Sequence, residues 1–125
     1  MAKLNPTLKL ISSTTAGEET SSDALAFTVT DELTVTQPMI DVAQLNLSTS
    51  VTNIIPETNS AIVYFYAKNT SSTQTVVFET ITGTQAYADL SPGEWCFFPV
   101  KGAIGLRAKS AASTAVLEYG YWSKS

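Results

Sequence analysis

Short runs in which apolar and polar residues alternate, separated by turn residues, constrain the fold of this chain most strongly. Leu25, Phe27 and Val29 recur at every second position, and so do Leu106 and Ala108. Side chains of a β-strand point to opposite faces in turn, so a period of two is typical of a half-buried strand. Turn signals recur every 8–12 residues or so, the strand spacing of sandwiches and small barrels. The sequence therefore predicts an all-β fold.

Other segments add strands and turns to this pattern. Residues 61–67 and 95–98 are apolar throughout and predict strands buried on both faces, the second of them ended by Pro99. Residues 91–94 predict a tight turn, because Pro92 presets φ and Gly93 accepts a positive φ. Residues 38–44 are expected to form a single helical turn. The whole pattern predicts an antiparallel β-sandwich or jelly roll of about eight strands.

The two halves of the chain differ in aromatic content and in charge. Only Phe27 of the 12 aromatic residues lies in the first 60 residues, where two Lys and seven acidic residues give a net charge of −5. Aromatic side chains dominate core energetics, so we expect most of the core in the second half. Because residues 12–22 are mostly polar, residues 1–22 are expected to form an extended N-terminal arm. Residues 23–125 are then expected to form a single β-sandwich domain.

Composition argues against an enzyme. The chain has no His, which is the commonest general base and a frequent zinc ligand. Its single cysteine, Cys96, stands among aromatic residues, where a thiol is usually a small buried hydrophobe. The acidic pairs 18–19 and 31–32 would point to opposite faces of a strand and would not converge. We therefore expect no catalytic residues, no metal site and no cofactor.

Charge and hydropathy exclude two further classes of partner. The net charge of −4 disfavours binding to nucleic-acid phosphates. No stretch approaches the roughly 20 apolar residues of a membrane-spanning helix. The first residues lack the apolar centre of a signal peptide, so we expect synthesis and retention in a cytoplasm.

The aromatic residues allow two interpretations. Tyr119, Tyr121 and Trp122 lie close to the end of the sequence, and chain ends are usually at the surface. With Leu8 and Leu10, these three form a candidate subunit interface, since aromatic residues are enriched at buried contacts. Tyr64 and Tyr66 share one face of a strand and could instead stack on sugar rings, as in a carbohydrate-binding β-sandwich module.

The second half also carries two short patterns that lead into or form turns. Residues 64–70, YFYAKNT, follow the pattern Y-x-Y-x-K-N, and residues 90–94, LSPGE, follow L-x-P-G-E. Over residues 61–125 these patterns resemble small all-β structural proteins of tailed bacteriophages. Residues 108–110 and 117–120 are similar to the closing strands of such proteins.

This resemblance implies a virion component, made in the host cytoplasm and then located in the virion. The first expectation is a capsid decoration, or cement, protein that binds and stabilises the assembled head. A tail, adaptor or fibre-associated protein is the alternative within the same class. Its partners would be the major capsid protein or other virion proteins. By analogy with β-sandwich virion proteins on threefold axes, we expect a homo-oligomer, as a trimer.

Overall fold

The computed structural model describes residues 2–12, 25–36, 41–57 and 61–125. These residues contain strands and no helix, and every strand pairing described below is antiparallel, which confirms the predicted all-β class. The jelly-roll connectivity stays a prediction. The strands are β1 (Ala2–Leu4), β2 (Thr7–Ile11), β3 (Ala26–Thr30), β4 (Leu33–Thr36), β5 (Ala43–Leu47), β6 (Thr52–Ile55), β7 (Ile62–Asn69), β8 (Val76–Glu79), β9 (Ala86–Leu90), β10 (Trp95–Lys101), β11 (Leu106–Ser110) and β12 (Ala115–Lys124).

The chain divides into two compact units, residues 1–35 and residues 36–125. In the first unit β1 pairs with β4, and β2 pairs with β3 as a separate two-stranded sheet. Of the predicted N-terminal arm, residues 2–12 contain β1 and β2, and residues 13–22 lie outside the described residues. The boundary predicted between residues 22 and 23 also lies outside the described residues.

The second unit contains eight strands in two groups of four. In the group that we call the long sheet, the strand order is β5, β12, β7, β10. In the short sheet, the order is β6, β11, β8, β9. Within this unit β10 ends the long sheet and β9 ends the short sheet.

A single core joins the two sheets of the second unit. Phe65 of β7 and Phe78 of β8 are both buried, and their rings meet edge to face with centroids 5.6 Å apart. Alternate residues of the long sheet, among them Leu47 and Leu117, pack in the same cluster as Leu106 of the short sheet. This shared core gives the unit a sandwich-like arrangement.

Three local predictions are wrong. Strand β10 does not end at Pro99 but continues to Lys101, with Pro99 opposite Tyr64. Proline is tolerated there because an end strand leaves one side of its backbone unpaired. Trp95 is not buried but 55% exposed, since only one face of β10 is directed to the core. Ala43 belongs to β5 and not to a helical turn; residues 38–40 of that predicted turn lie outside the described residues.

The two patterns that resemble phage proteins form one hydrogen-bonded junction around Asn69. The Asn69 side chain is fully buried, and its Nδ2 donates to the carbonyl oxygens of Gln74 (2.7 Å) and Leu90 (2.9 Å). The backbone N–H of Gly93 donates to the Asn69 carbonyl, at 2.8 Å. Gly93 has φ of 82°, as the predicted turn at residues 91–94 requires. Both patterns therefore position the turn that leads into β10.

Candidate functional site

The β2–β3 pair carries a row of exposed apolar side chains. Leu8 stands opposite Val29, and Leu10 stands opposite Phe27, so these four side chains share one face. They are 37%, 53%, 41% and 40% exposed, respectively. We call this surface the apolar hairpin face. It includes the two residues of the N-terminal segment that were predicted to lie at a subunit interface.

Within the described residues, β2 and β3 pair only with each other, and few of their side chains are buried. Every residue of β3 is exposed, and all of β2 except Ile11 is exposed. The pairing extends to Ser12 and Leu25, where the Ser12 N–H donates to the Leu25 carbonyl at 2.8 Å. An isolated two-stranded hairpin is at best marginally stable in water. A surface of this kind is typical of a segment that is covered when the protein assembles.

The outer face of the long sheet is the second candidate surface, and it is rich in aromatic rings. Residues of β10 that alternate with the core-packed Cys96 and Phe98 point to this face, and the strand registers place residues of β7 and β12 beside them. We call it the aromatic face. Its aromatic members are Tyr64, Tyr66, Trp95, Phe97 and Trp122.

Both tyrosines proposed for sugar stacking lie on the aromatic face, where each contacts a neighbouring side chain. Tyr64 is only 9% exposed and stacks on Phe97, with ring centroids 6.4 Å apart and planes at 15°. The Tyr66 hydroxyl donates to Glu118 Oε1 at 2.7 Å. Burial, reinforced by this hydrogen bond to a carboxylate, raises the pKa of Tyr66 to about 12. The hydroxyl therefore stays protonated and holds Glu118 in place.

The three residues of the predicted C-terminal cluster do not share a surface. Tyr119 and Tyr121 pack against the core, whereas Trp122 points to the aromatic face beside Tyr64. The Trp122 ring also covers the backbone of Gly120, where a Cβ atom would lie 2.9 Å from the indole. The structure thus brings Trp122 together with the two tyrosines of the other interpretation.

Sequence reasoning missed several members of these surfaces. Phe27 and Val29 belong to an alternating run that was visible in the sequence, but their pairing with β2 depends on strand register. Trp95 and Phe97 stand in a segment without alternation, and the signal that could have found an open side of β10 is Pro99, because proline within a strand is typical of the end of a sheet. The apolar content of a strand does not by itself show whether the strand lies at the end or in the centre of a sheet.

Candidate metal ligands do not gather in the described part of the chain. No three His, Cys, Asp or Glu residues come together within that part of the chain. Burial raises the pKa of the Cys96 thiol to about 11, so the reactive thiolate is disfavoured. An apolar cleft of about 340 Å³ beside β10 is lined by Tyr87, Phe98 and Ile104, among others, and none of its lining residues is a carboxylate.

The described residues include no helix with the length and hydropathy needed to cross a membrane. Comparison with protein-family models, with curated proteins and with solved structures gave no match for this chain.

Proposed function

We propose that this chain is a bacteriophage virion structural protein, a decoration protein that binds and stabilises the assembled capsid. The observation that carries the proposal is the apolar hairpin face, where Leu8, Leu10, Phe27 and Val29 are all more than one-third exposed. The pattern likeness of residues 61–125 to phage structural proteins supplies the class of assembly. In this proposal the hairpin contacts the major capsid protein, and the second unit serves as a stable body.

The expected mechanism is burial of apolar area at many equivalent sites. Covering the exposed part of the four side chains would stabilise each contact by on the order of 2–5 kcal/mol. That is a weak contact for one copy, but a trimer would link three such contacts, and the second and third would then form at a high effective concentration. The composition supports this role, because only 14% of residues are charged and few charges would need to be desolvated at an interface.

Incorporation into virions tests the proposal. The chain is supplied in tagged form during infection by the phage that encodes it, and purified particles are analysed by immunogold microscopy. We expect label on intact heads, and particles without label would overturn the proposal. Leu10→Ser combined with Phe27→Ser should reduce incorporation at least tenfold, since the two residues face each other across the hairpin.

Two matched variants make this result specific. Val51→Ser changes an equally exposed apolar residue of the second unit (39% exposed) and should be incorporated normally. Phe27→Leu keeps the face apolar and should also be incorporated. Normal incorporation of the Leu10→Ser and Phe27→Ser double variant, or an equal loss in Val51→Ser, would show that the hairpin is not the specific contact.

Copy number separates the head assignment from a tail, adaptor or fibre-associated role. Quantitative mass spectrometry of purified virions should give hundreds of copies for a decoration protein. A few copies to a few dozen would place the chain in the tail or at a vertex instead. Light scattering during size-exclusion chromatography would test the proposed trimer. A monomer would contradict the trimer and would leave the proposed virion role unaffected.

A further inference from the structure

Trp95 is the most exposed large apolar side chain among the described residues, at 55%. It is the first residue of β10 and follows directly on the turn at residues 91–94 that Asn69 holds in place. Its position is therefore fixed by the backbone on both sides. The indole is thus presented to solvent from a backbone position that the strand and the turn define, beside the polar side chains of the neighbouring strands.

The strand registers place Trp95 at one end of a row that crosses the whole long sheet. Trp95 lies opposite Lys68, Lys68 lies opposite Glu118, and Glu118 lies opposite Gln44. All four point to the aromatic face, since their neighbours along each strand pack in the core. Adjacent strands are about 4.8 Å apart, so the row is about 14 Å long. We call it the Trp95 row.

The polar members of the row have hydrogen-bonding capacity to spare. Lys68 is exposed and forms no ion pair within the described part of the chain. One oxygen of Glu118 accepts the Tyr66 hydroxyl, and the other accepts no hydrogen bond from the described residues. Gln44 is exposed and its amide can both donate and accept. The row thus offers an aromatic ring, a cation, an anion and an amide in turn.

We propose that the Trp95 row binds a neutral pyranose oligosaccharide, with one sugar ring on the Trp95 indole and hydroxyls on Lys68, Glu118 and Gln44. The electron-rich face of an indole attracts the polarised C–H groups on the apolar side of a sugar ring. Sugar hydroxyls donate to Glu118 and accept from Lys68, and the Gln44 amide can serve either role. The charges of Lys68 and Glu118 cancel, which matches a ligand without net charge.

Other occupants fit the row less well. An apolar protein surface would desolvate Lys68 and Glu118 without giving them partners, which is costly. A nucleic acid would meet a single cation beside an anion, in a chain with a net charge of −4. The site lies in the second unit and uses no residue of the apolar hairpin face. A decoration protein with this site would present a glycan-binding surface, but the inference does not depend on that role.

The full-length protein, labelled with ¹⁵N, allows a direct test by nuclear magnetic resonance. Its two tryptophans give two indole N–H signals, one from Trp95 and one from Trp122. We would titrate hexasaccharides of β-1,4-glucose, α-1,4-glucose and β-1,4-N-acetylglucosamine to millimolar concentration. At least one should shift the Trp95 signal in a saturable way, with a smaller shift of Trp122. No shift of Trp95 with any of the three would overturn the proposal.

Substitutions then assign the binding to the row. Trp95→Ala should weaken binding of the active hexasaccharide at least tenfold, as followed by the backbone amide signals of β7 and β12. Gln44→Ala should weaken it about threefold, the loss of about one hydrogen bond. Tyr87→Ala removes a similarly exposed aromatic ring (48%) on the short sheet and should bind like the natural sequence. Equal loss in Tyr87→Ala, or none in Trp95→Ala, would overturn the assignment.

Discussion

Asn69 is a fully buried polar side chain that forms three hydrogen bonds. Besides its two donated bonds, its Oδ1 accepts the Ser71 N–H at 3.0 Å, and its own N–H donates to the Glu94 carbonyl at 2.9 Å. One buried amide therefore joins the end of β7, the following turn and the turn before β10. The Y-x-Y-x-K-N pattern ends on this residue, so the last residue of the pattern has a structural role.

Removing the Asn69 side chain should destabilise the fold strongly. Asn69→Ala deletes three hydrogen bonds and leaves the buried Leu90 carbonyl with one partner fewer, so we expect a loss of about 2–4 kcal/mol. Urea unfolding followed by tryptophan fluorescence measures the change. Asn46→Ala, at an exposed position in β5, is the matched control and should stay within about 0.5 kcal/mol of the natural sequence. Similar losses in both variants would contradict the junction role.

Glu79 should make the stability of the protein sensitive to acid. It is 6% exposed; its Oε1 accepts bonds from Arg107 at 2.8 and 3.0 Å, and its Oε2 lies 3.2 Å from Lys109 Nζ. The hydrogen bond to Arg107 holds the pKa of Glu79 below its ordinary value, although burial opposes this. Its contribution is therefore present above the pKa of the unfolded chain and is lost as the pH falls through the lower, folded-state pKa.

Thermal unfolding between pH 7 and pH 3 measures that contribution. The natural sequence should lose more stability over this range than Glu79→Gln, which should already be less stable at pH 7 by about 1–3 kcal/mol. Asp89→Asn replaces an exposed carboxylate of the same sheet. Because Glu79 is intact in this variant, it should lose as much stability between pH 7 and pH 3 as the natural sequence. If Glu79→Gln loses as much stability on acidification as the natural sequence, the ion cluster does not contribute.

At the scale of strands, the sequence predicts where β-structure lies better than it predicts which face is covered. Strand β7, expected at residues 61–67, runs from Ile62 to Asn69, and its apolar residues on both faces are mostly buried, as expected for a central strand. Strand β10 has an equally apolar sequence, but it ends the sheet, and Trp95 and Pro99 are exposed. The difference lies in pairing partners more than 20 residues away, which local periodicity does not encode.

The connection between β10 and β11 depends on Gly105, and its substitution should be costly. Gly105 has φ of 69°, and a Cβ atom there would lie 2.8 Å from both the Ile55 carbonyl oxygen and Ile81 Cδ1. Gly105→Ala should therefore destabilise the protein by at least about 2 kcal/mol, from backbone strain and steric overlap together. Gly83→Ala, at φ of 87° with nothing within 4 Å, should show the strain alone, about 1 kcal/mol. If urea unfolding gives the two variants the same loss in free energy of unfolding, steric overlap at Gly105 does not contribute.

For the whole molecule, the contrast between the two halves of the sequence predicted where the core lies. Of the 11 aromatic residues after residue 60, Phe65 and Phe78 form the centre of the core of the second unit. The aromatic-poor half contributes β5 and β6 to that unit, so the change in composition does not coincide with the boundary between residues 35 and 36. Composition could not reveal this, because Leu47 and Ile55 join the core through pairing with distant strands.

Substitutions in the hairpin should not change the free energy of unfolding of the second unit. In the described part of the chain, β2 and β3 pair only with each other, and both tryptophans lie in the second unit. Leu10→Ser with Phe27→Ser should therefore leave the urea transition seen by tryptophan fluorescence within about 0.5 kcal/mol of the natural one. Amide exchange in β2 and β3 should become faster. Phe65→Ala, which opens the core, should cost about 3–5 kcal/mol in the same measurement. A comparable loss in the hairpin variant would mean that the apolar hairpin face stabilises the protein itself and is not reserved for a partner.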